Sequence, residues 1–381
     1  MTKPTTTPET DAAGTFTHRS GVGADARRAT TDGTTRFRAR FADALAADHF
    51  RVGVQDLAMS SIGIGTYLGA DADSDDEAYV DAIRCALHSG INVIDTAINY
   101  RCQRSERAVG RAVQLMMVRG HVARDELVLC TKAGYIPLEN YPPATQEGYQ
   151  GYLRREFYAR HVMEPADLVA GGHCLAPGFI ADCLRRSRQN LGVDAIDVFY
   201  LHNPEQQLNS VGPEQLYARI EQAFALLEAR AAAGEIGVYG ISTWQGFRVP
   251  PGSRSHLSMN ELVTIARRVG GDAHHFRVVQ FPLSLAMPEA VREATQDVPD
   301  RGRVSAIEAA AALGLTVMTS APLMQGQLTQ GLPSTLHTLF PSLTTDAQRA
   351  LGFARSMPGV TTTLVGMKRA AHVTENLGAA R

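Results

Sequence analysis

From Asn92 to Ala133 the sequence reads NVIDTAINYRCQRSERAVGRAVQLMMVRGHVARDELVLCTKA, and this stretch decides the fold. It opens on one apolar run, Asn92 to Ala97, and closes on another, Leu127 to Ala133. Apolar runs without alternation suit strands buried on both faces, as in a parallel sheet. Between them, Ser105 to Val118 carries apolar residues at helical spacing, with Ser105 placed as a cap. Strand, helix and strand in immediate succession make one βαβ unit.

The same unit repeats on either side. Ile62 to Thr66 predicts a strand, and Asp75 to His88 predicts an amphipathic helix stopped by Gly90. Further strands are expected at Ile196–Leu201, Ile236–Thr243, Arg277–Leu283, Leu315–Ser320 and Thr362–Gly366. Further helices are expected at Phe179–Leu191, Pro213–Ala233, Glu261–Val269, Val304–Leu313 and Ala370–Leu377. Eight strands with intervening helices predict an α/β chain, a closed (β/α)8 TIM barrel over residues 51–381. An open doubly wound sheet fits less well, because no glycine fingerprint marks the first strand–helix turn.

Residues 1–50 differ in kind. They are rich in Thr, Ala, Gly and Arg, hold few large apolar residues, and predict a disordered tail. No secretory h-region is present, and Glu9 and Asp11 argue against an organelle-targeting peptide. Gly21-Val-Gly-Ala-Asp-Ala26 matches G-x-G-x-x-A but follows no strand, so it is a chance match.

Composition excludes several classes. A net charge of −2 gives no basic footprint for nucleic acid. No apolar run reaches the roughly 18 residues that suggest a membrane span. The five cysteines, at 85, 102, 130, 174 and 183, form no C-x-x-C pair. A disulfide framework or zinc site is therefore not expected, and a reducing, cytoplasmic setting is. Cys130, inside an apolar run, reads as a small buried hydrophobe. His274-His275 lies before a strand, away from the mouth of the barrel, and is not expected to bind metal.

In such a barrel chemistry sits at the C-terminal strand ends. There the chain places Asp95-Thr96-Ala97 with Tyr100 just beyond, Thr131-Lys132, Leu201-His202-Asn203-Pro204, Ser242-Thr243-Trp244, Gln280, Ser320 and Gly366-Met367-Lys368. A half-buried Lys132 wants a carboxylate, and Asp95 one strand away can supply it. An ammonium beside a phenol is expected to lower the phenol's pKa toward that of a general acid. A neutral His202 could orient a carbonyl oxygen beside Tyr100. The arrangement is an acid suited to protonating a developing alkoxide. Trp244 either walls the substrate pocket or caps the core.

These segments resemble the aldo-keto reductases over roughly residues 58–378. Asp95-Thr-Ala-x-x-Tyr100 is similar to the family's D-T-A-x-x-Y segment. Thr131-Lys132, Leu201-His202, Gly240-Ile-Ser242, Val279-Gln-Phe-Pro-Leu283, Val317–Leu323 and Gly366–Asn376 follow in the family's order. The resemblance implies a barrel that reduces aldehydes or ketones with NADPH. It implies Tyr100 as proton donor, Lys132 and Asp95 as its tuning pair, and His202 as carbonyl orienter. It further implies that Gly65, Thr66 and Tyr67 lie against the cofactor and that Ser242 and Gln280 hold the carboxamide. Leu323 would meet the pyrophosphate, Lys368 the 2′-phosphate, and Glu375 and Asn376 the adenine, with Thr243, Ser320 and Gly366 beside them. The substrate would be a small carbonyl compound, without nucleic-acid or membrane partners.

The chain departs from the family pattern in four places. The loop Arg101-Cys-Gln-Arg-Ser-Glu106 is two residues longer than the usual form, so Arg101 or Arg104 could reach the pocket. Thr243 replaces a usual Asn, and Ser320 replaces a usual aromatic that stacks on the nicotinamide. The sequence stops five residues after Asn376, without the usual variable C-terminal loop. Residues 135–178, rich in Tyr and Pro and carrying Arg154, Arg155, Arg160 and His173, are expected to form an inserted lid that sets specificity. Two other functions fit the same residues: an NADPH-holding sensor or auxiliary subunit, and an imine or enone reductase.

Overall fold

The computed structural model describes residues 27–381. Helix α1 (Thr31–Ala39) is followed by an antiparallel hairpin of β1 (Phe50–Val52) and β2 (Ala58–Ser60). Then come β3 (Ile62–Gly65), β4 (Val93–Asp95), β5 (Val128–Ala133), β6 (Ile196–His202), β7 (Ile236–Ser242) and β8 (Phe276–Pro282). A second hairpin, β9 (Ala294–Val298) and β10 (Gly302–Ser305), precedes β11 (Thr316–Ser320) and β12 (Val360–Gly366). Strands β3 to β8, β11 and β12 pair in parallel and close into a barrel in chain order.

The helices in chain order are α2 (Asp73–His88), α3 (Arg104–Val118), α4 (Gln146–Leu153), α5 (Pro177–Leu191), α6 (Pro213–Ala232) and α7 (Met259–Gly270). The rest are α8 (Glu289–Arg292), α9 (Ala306–Ala312), α10 (Thr335–Leu339), α11 (Asp346–Ser356) and α12 (Ala370–Leu377). Their limits have local causes. Three aspartates in the first turn of α2 meet the positive end of its dipole, and Gly90 at φ +96° turns the chain after it. Pro177 starts α5, and Gly192 at φ +65° ends it.

Three expectations need correction. The tail does not extend to residue 50: residues 27–50 are packed onto the barrel. Phe37 is fully buried, Ala29 N donates to Asp197 Oδ1 at 2.6 Å, and Arg36 and Arg40 bond Glu126 at 2.9 and 2.8 Å. The few apolar residues there are enough because they dock on an existing surface rather than fold alone. The Gly21–Ala26 motif lies outside the described residues. Second, Val304 belongs to β10, because Ser305 caps α9 in a capping box with Glu308. Third, the helix implied between the last two strands was given no residues, and the stretch holds two, α10 and α11; Thr345 and Gln348 box the start of α11.

Inside the barrel, Val93, Val128, Cys130, Val198, Tyr200, Val238, Val278, Met318 and Leu364 form one apolar plug. Ala29, Val54, Leu57 and Met59 join it from the N-terminal segment and hairpin. Cys130 is a packing residue in this plug, and burial pushes its thiol well up.

Candidate active site

Successive residues of a strand alternate in direction, so every second one faces the barrel interior. Val93, Cys130, Tyr200, Val278 and Met318 belong to the apolar plug. Two residues further along the same strands stand Asp95, Lys132, His202, Gln280 and Ser320. One inward step therefore turns the interior from apolar to polar, and the site rests on the core.

Lys132 is fully buried, and its Nζ donates to Asp95 Oδ2 at 2.5 Å and to the Thr96 carbonyl at 2.8 Å. The other Asp95 oxygen accepts from Gln280 Nε2 at 2.9 Å. Gln280 Oε1 in turn accepts from Ser242 Oγ at 2.8 Å. One carboxylate thus fixes both the ammonium and the polar row along β7 and β8. The ammonium lies between two rings, 5.2 Å from the centre of Tyr100 and 5.8 Å from that of Tyr200.

Tyr100 stands edge-on to His202, with ring centres 5.7 Å apart, and Tyr67 packs against its other side at 5.0 Å. Burial, then the charge of Asp95, holds the Tyr100 phenol well above its usual range. The expected lowering by Lys132 is not found: the ammonium is spent on Asp95 and Thr96, and burial dominates. His202 is held well below the usual imidazole range by burial and by the nearby Lys132 charge, so its ring is neutral. Its Nδ1 is buried without a partner, which leaves Nε2 as the nitrogen toward the cavity.

Behind His202 lies support that sequence reasoning missed in role. His173 Nε2 meets the His202 carbonyl at 2.7 Å, Gln207 Nε2 meets His173 Nδ1 at 3.1 Å, and Arg219 donates to Gln207 Oε1 at 2.7 Å. Arginine only donates, so the Gln207 amide presents its NH2 to Nδ1. His173 is then the Nε2–H tautomer, donating to the backbone of His202. Tyr135 packs edge-on to His202 at 5.1 Å and accepts from Asn203 Nδ2 at 3.1 Å.

The candidate residues at the other strand ends come together. Gly65, Thr66, Tyr67, Ser242, Thr243, Gln280, Ser320, Leu323, Gly366, Lys368, Glu375 and Asn376 all line one cavity of about 680 Å³, with Asp95, Tyr100 and His202. Lys132 lies beneath it. Trp244 is on the wall, 42% exposed, so it borders the pocket rather than the core. The Thr243 hydroxyl is turned away, accepting from Gly246 N at 2.7 Å. Unanticipated wall residues include Leu68, Asn203, Arg369 and His372. Arg369 and His372 carried a signal, being basic residues at the start of a helix. Buried Glu205 accepts from Trp244 N and Gln245 N at 2.7 and 3.1 Å and fixes the turn after β7.

Two further expectations fail on geometry. Arg101 and Arg104 do not enter the cavity. Arg101 bonds Asp76 at 2.5 Å, and Arg104 bonds Asp76 at 2.6 Å and Asp73. The longer loop after Tyr100 is thereby tied to the start of α2. None of residues 135–178 lines the cavity, where a lid was expected; Tyr135 and His173 of this segment instead stand behind His202. Phe157 is fully buried with its ring centre 5.6 Å from that of Phe179, Arg160 bonds Asp182 at 3.0 Å, and Glu156 bonds Arg186 at 3.3 Å. The segment is a buttress on α5. His274-His275 is likewise occupied, with His275 Nδ1 on Glu228 at 2.7 Å and His274 beside Arg277. Among the described residues no helix is long and apolar enough to cross a membrane.

The site is thus a buried lysine–aspartate pair under a tyrosine and a neutral histidine, at the strand ends of a closed parallel barrel. Residues 61–249 match the model of the aldo/keto reductase family. It is 31% identical over 170 residues to a D-threo-aldose 1-dehydrogenase of Pseudomonas sp, covering 45% of each chain. It is 26% identical over 216 residues to the NADH-specific methylglyoxal reductase of Escherichia coli K12, covering 55% of each. The chain thus spans about half the length of these curated relatives. In fold it is similar to an aldo/keto reductase from Klebsiella pneumoniae solved with NADP and acetate, with a TM-score of 0.56 and 21% identity over 87% of this chain and 89% of that one.

Proposed function

We propose that this chain interconverts an aldehyde or ketone and its alcohol using a nicotinamide cofactor, NADPH in the first instance, with Tyr100 as the acid. The observation that carries this is the fully buried Lys132, bonded to Asp95 and 5.2 Å from the Tyr100 ring at the floor of the cavity. The donors in the cavity fit such a cofactor. Uncharged amide and hydroxyl groups at Asn203, Ser242 and Gln280 suit a carboxamide, and Lys368, Arg369 and His372 suit phosphates. When bound, such a cofactor would supply the hydride that the carbonyl carbon takes up. Tyr100 supplies the proton that the resulting alkoxide oxygen takes up, and the phenolate left behind faces the Lys132 charge. His202, neutral, donates a hydrogen bond from Nε2 and holds the carbonyl oxygen beside the phenol. A phenol held up by burial keeps its proton at neutral pH, which favours reduction; oxidation of the alcohol needs a more alkaline medium.

The complete Tyr100, Lys132, Asp95 and His202 set favours turnover over a sensor or auxiliary subunit. The test is a fluorescence titration with NADPH and NADH, then a panel of carbonyl compounds followed at the nicotinamide absorbance. Tyr100→Phe should bind cofactor normally and lose roughly 100- to 10,000-fold in turnover, the range of general acid–base catalysis. Substantial residual turnover in that variant sinks the proposal.

A further inference from the structure

Lys368, between β12 and α12, is the cation that the family resemblance assigns to a 2′-phosphate. It is already engaged. Its Nζ donates to both carboxylate oxygens of Asp75, at 2.9 and 2.8 Å. Asp75 stands in the first turn of α2, and its Oδ2 also accepts from Ala70 N at 2.6 Å. Arg101 braces the same turn, donating to the carbonyls of Ala70 and Ala72 at 2.8 and 3.2 Å and to Asp76. Arg101, Cys102 and Gln103 all adopt left-handed φ values, 48°, 52° and 71°, which is the backbone solution of the longer loop. The carboxylate is therefore held by one backbone N–H, in a turn that Arg101 braces, and by Lys368. Lys368 holds the Asp75 carboxyl below its usual range, so it is an anion at neutral pH.

We propose that Asp75 sets the cofactor preference of this site, by occupying Lys368 and placing a carboxylate where a 2′-phosphate would have to approach. The proposal rests on the dinucleotide reading above and goes beyond it. A 2′-phosphate arriving at Lys368 must share the ammonium with Asp75 or displace it, and like charges at close range repel. A 2′-hydroxyl meets neither obstacle. Arg369 and His372 on the same wall still offer the phosphate a cation. The phosphorylated and unphosphorylated dinucleotides then compete on comparable terms.

The test is calorimetric titration of the full chain with adenosine 2′,5′-bisphosphate and with 5′-AMP. Asp75→Asn keeps an oxygen for Ala70 N and drops the charge; Asp75→Ser is the second charge-free variant should the first fold poorly. The unsubstituted chain should bind the two probes within a few-fold. Asp75→Asn should tighten the bisphosphate roughly tenfold, about 1.4 kcal/mol, and leave 5′-AMP unchanged. Lys368→Ala should cost the bisphosphate little alone and most of the gain in the Asp75→Asn background. Equal changes for both probes, or a bisphosphate preference already large in the unsubstituted chain, overturn the proposal while leaving the dinucleotide reading intact. Failure of both probes to bind any form removes both readings.

Discussion

At the scale of single residues, Asp95 does the most. It neutralises a fully buried ammonium, and it holds Gln280, which holds Ser242. Removing one member of a buried ion pair strands the other and costs about 3–5 kcal/mol, while removing both charges costs much less. Lys132→Met should therefore lose about 3–5 kcal/mol in urea unfolding. Adding Asp95→Asn to that variant should cost far less than Asp95→Asn alone, because asparagine still accepts from Gln280 and no stranded carboxylate remains. Additive losses would show that the two charges do not stabilise one another. Turnover should stay absent in the double variant, since the charge facing Tyr100 is gone in either case.

At the scale of elements, the segment between β5 and α5 is decided by packing. α4 and the turn after it are pinned by Phe157 on Phe179, by Arg160 to Asp182, by Arg186 to Glu156, and by Tyr152 Oη on the Pro137 carbonyl at 2.5 Å. Phe157→Ala should lower stability by about 3–5 kcal/mol, as large-to-small core changes do. The KM for carbonyl substrates should stay within about twofold in the folded protein, measured well below the transition temperature. A large KM change without loss of stability would restore the lid. The contrast shows what was legible. Strands of the barrel read directly, because burial on both faces leaves continuous apolar runs, and the inward polar residue closing each run marked Asp95, Lys132, His202 and Gln280. Residues 135–178 were visible as an insertion but not as a buttress, since the pairing of Phe157 with Phe179 and of Arg160 with Asp182 follows no helical or strand spacing. The packing of residues 27–50 was hidden for the same reason: Phe37, Arg36 and Arg40 need Asp125 and Glu126 to make sense. The Asp75–Lys368 pair joins residues 293 positions apart and left no local trace.

At the scale of the whole molecule, burial of neutral imidazoles ties stability to pH. His49, His173 and His274 are each lowered to about 4, chiefly by burial, and His202 is held well below its usual range, again chiefly by burial. In the unfolded chain each titrates near 6.5. Between those values the unfolded state binds protons that the folded state refuses, so stability is full above about pH 6.5 and falls as the medium is acidified. Buried Glu106 and Glu205, pushed up by burial, take protons in the folded state and oppose the loss. Four imidazoles outweigh two carboxyls, so the net change is a loss. Carboxylates held low by cations, such as Asp48 beside Arg355 and Asp182 beside its arginines, add their own loss at lower pH. The three most deeply buried imidazoles, His49, His173 and His202, would together give a slope of at most roughly 4 kcal/mol per pH unit near pH 5, before the carboxyls reduce it. Urea unfolding at a series of pH values between 7.5 and 4.5 should show stability flat and then falling. His49→Gln should be less stable at neutral pH, where the imidazole bonds to Gly90 and Ser61 are lost, yet lose stability less steeply with acid. An unchanged slope in that variant would mean that His49 takes up no proton on unfolding and that the acid sensitivity lies elsewhere in the core.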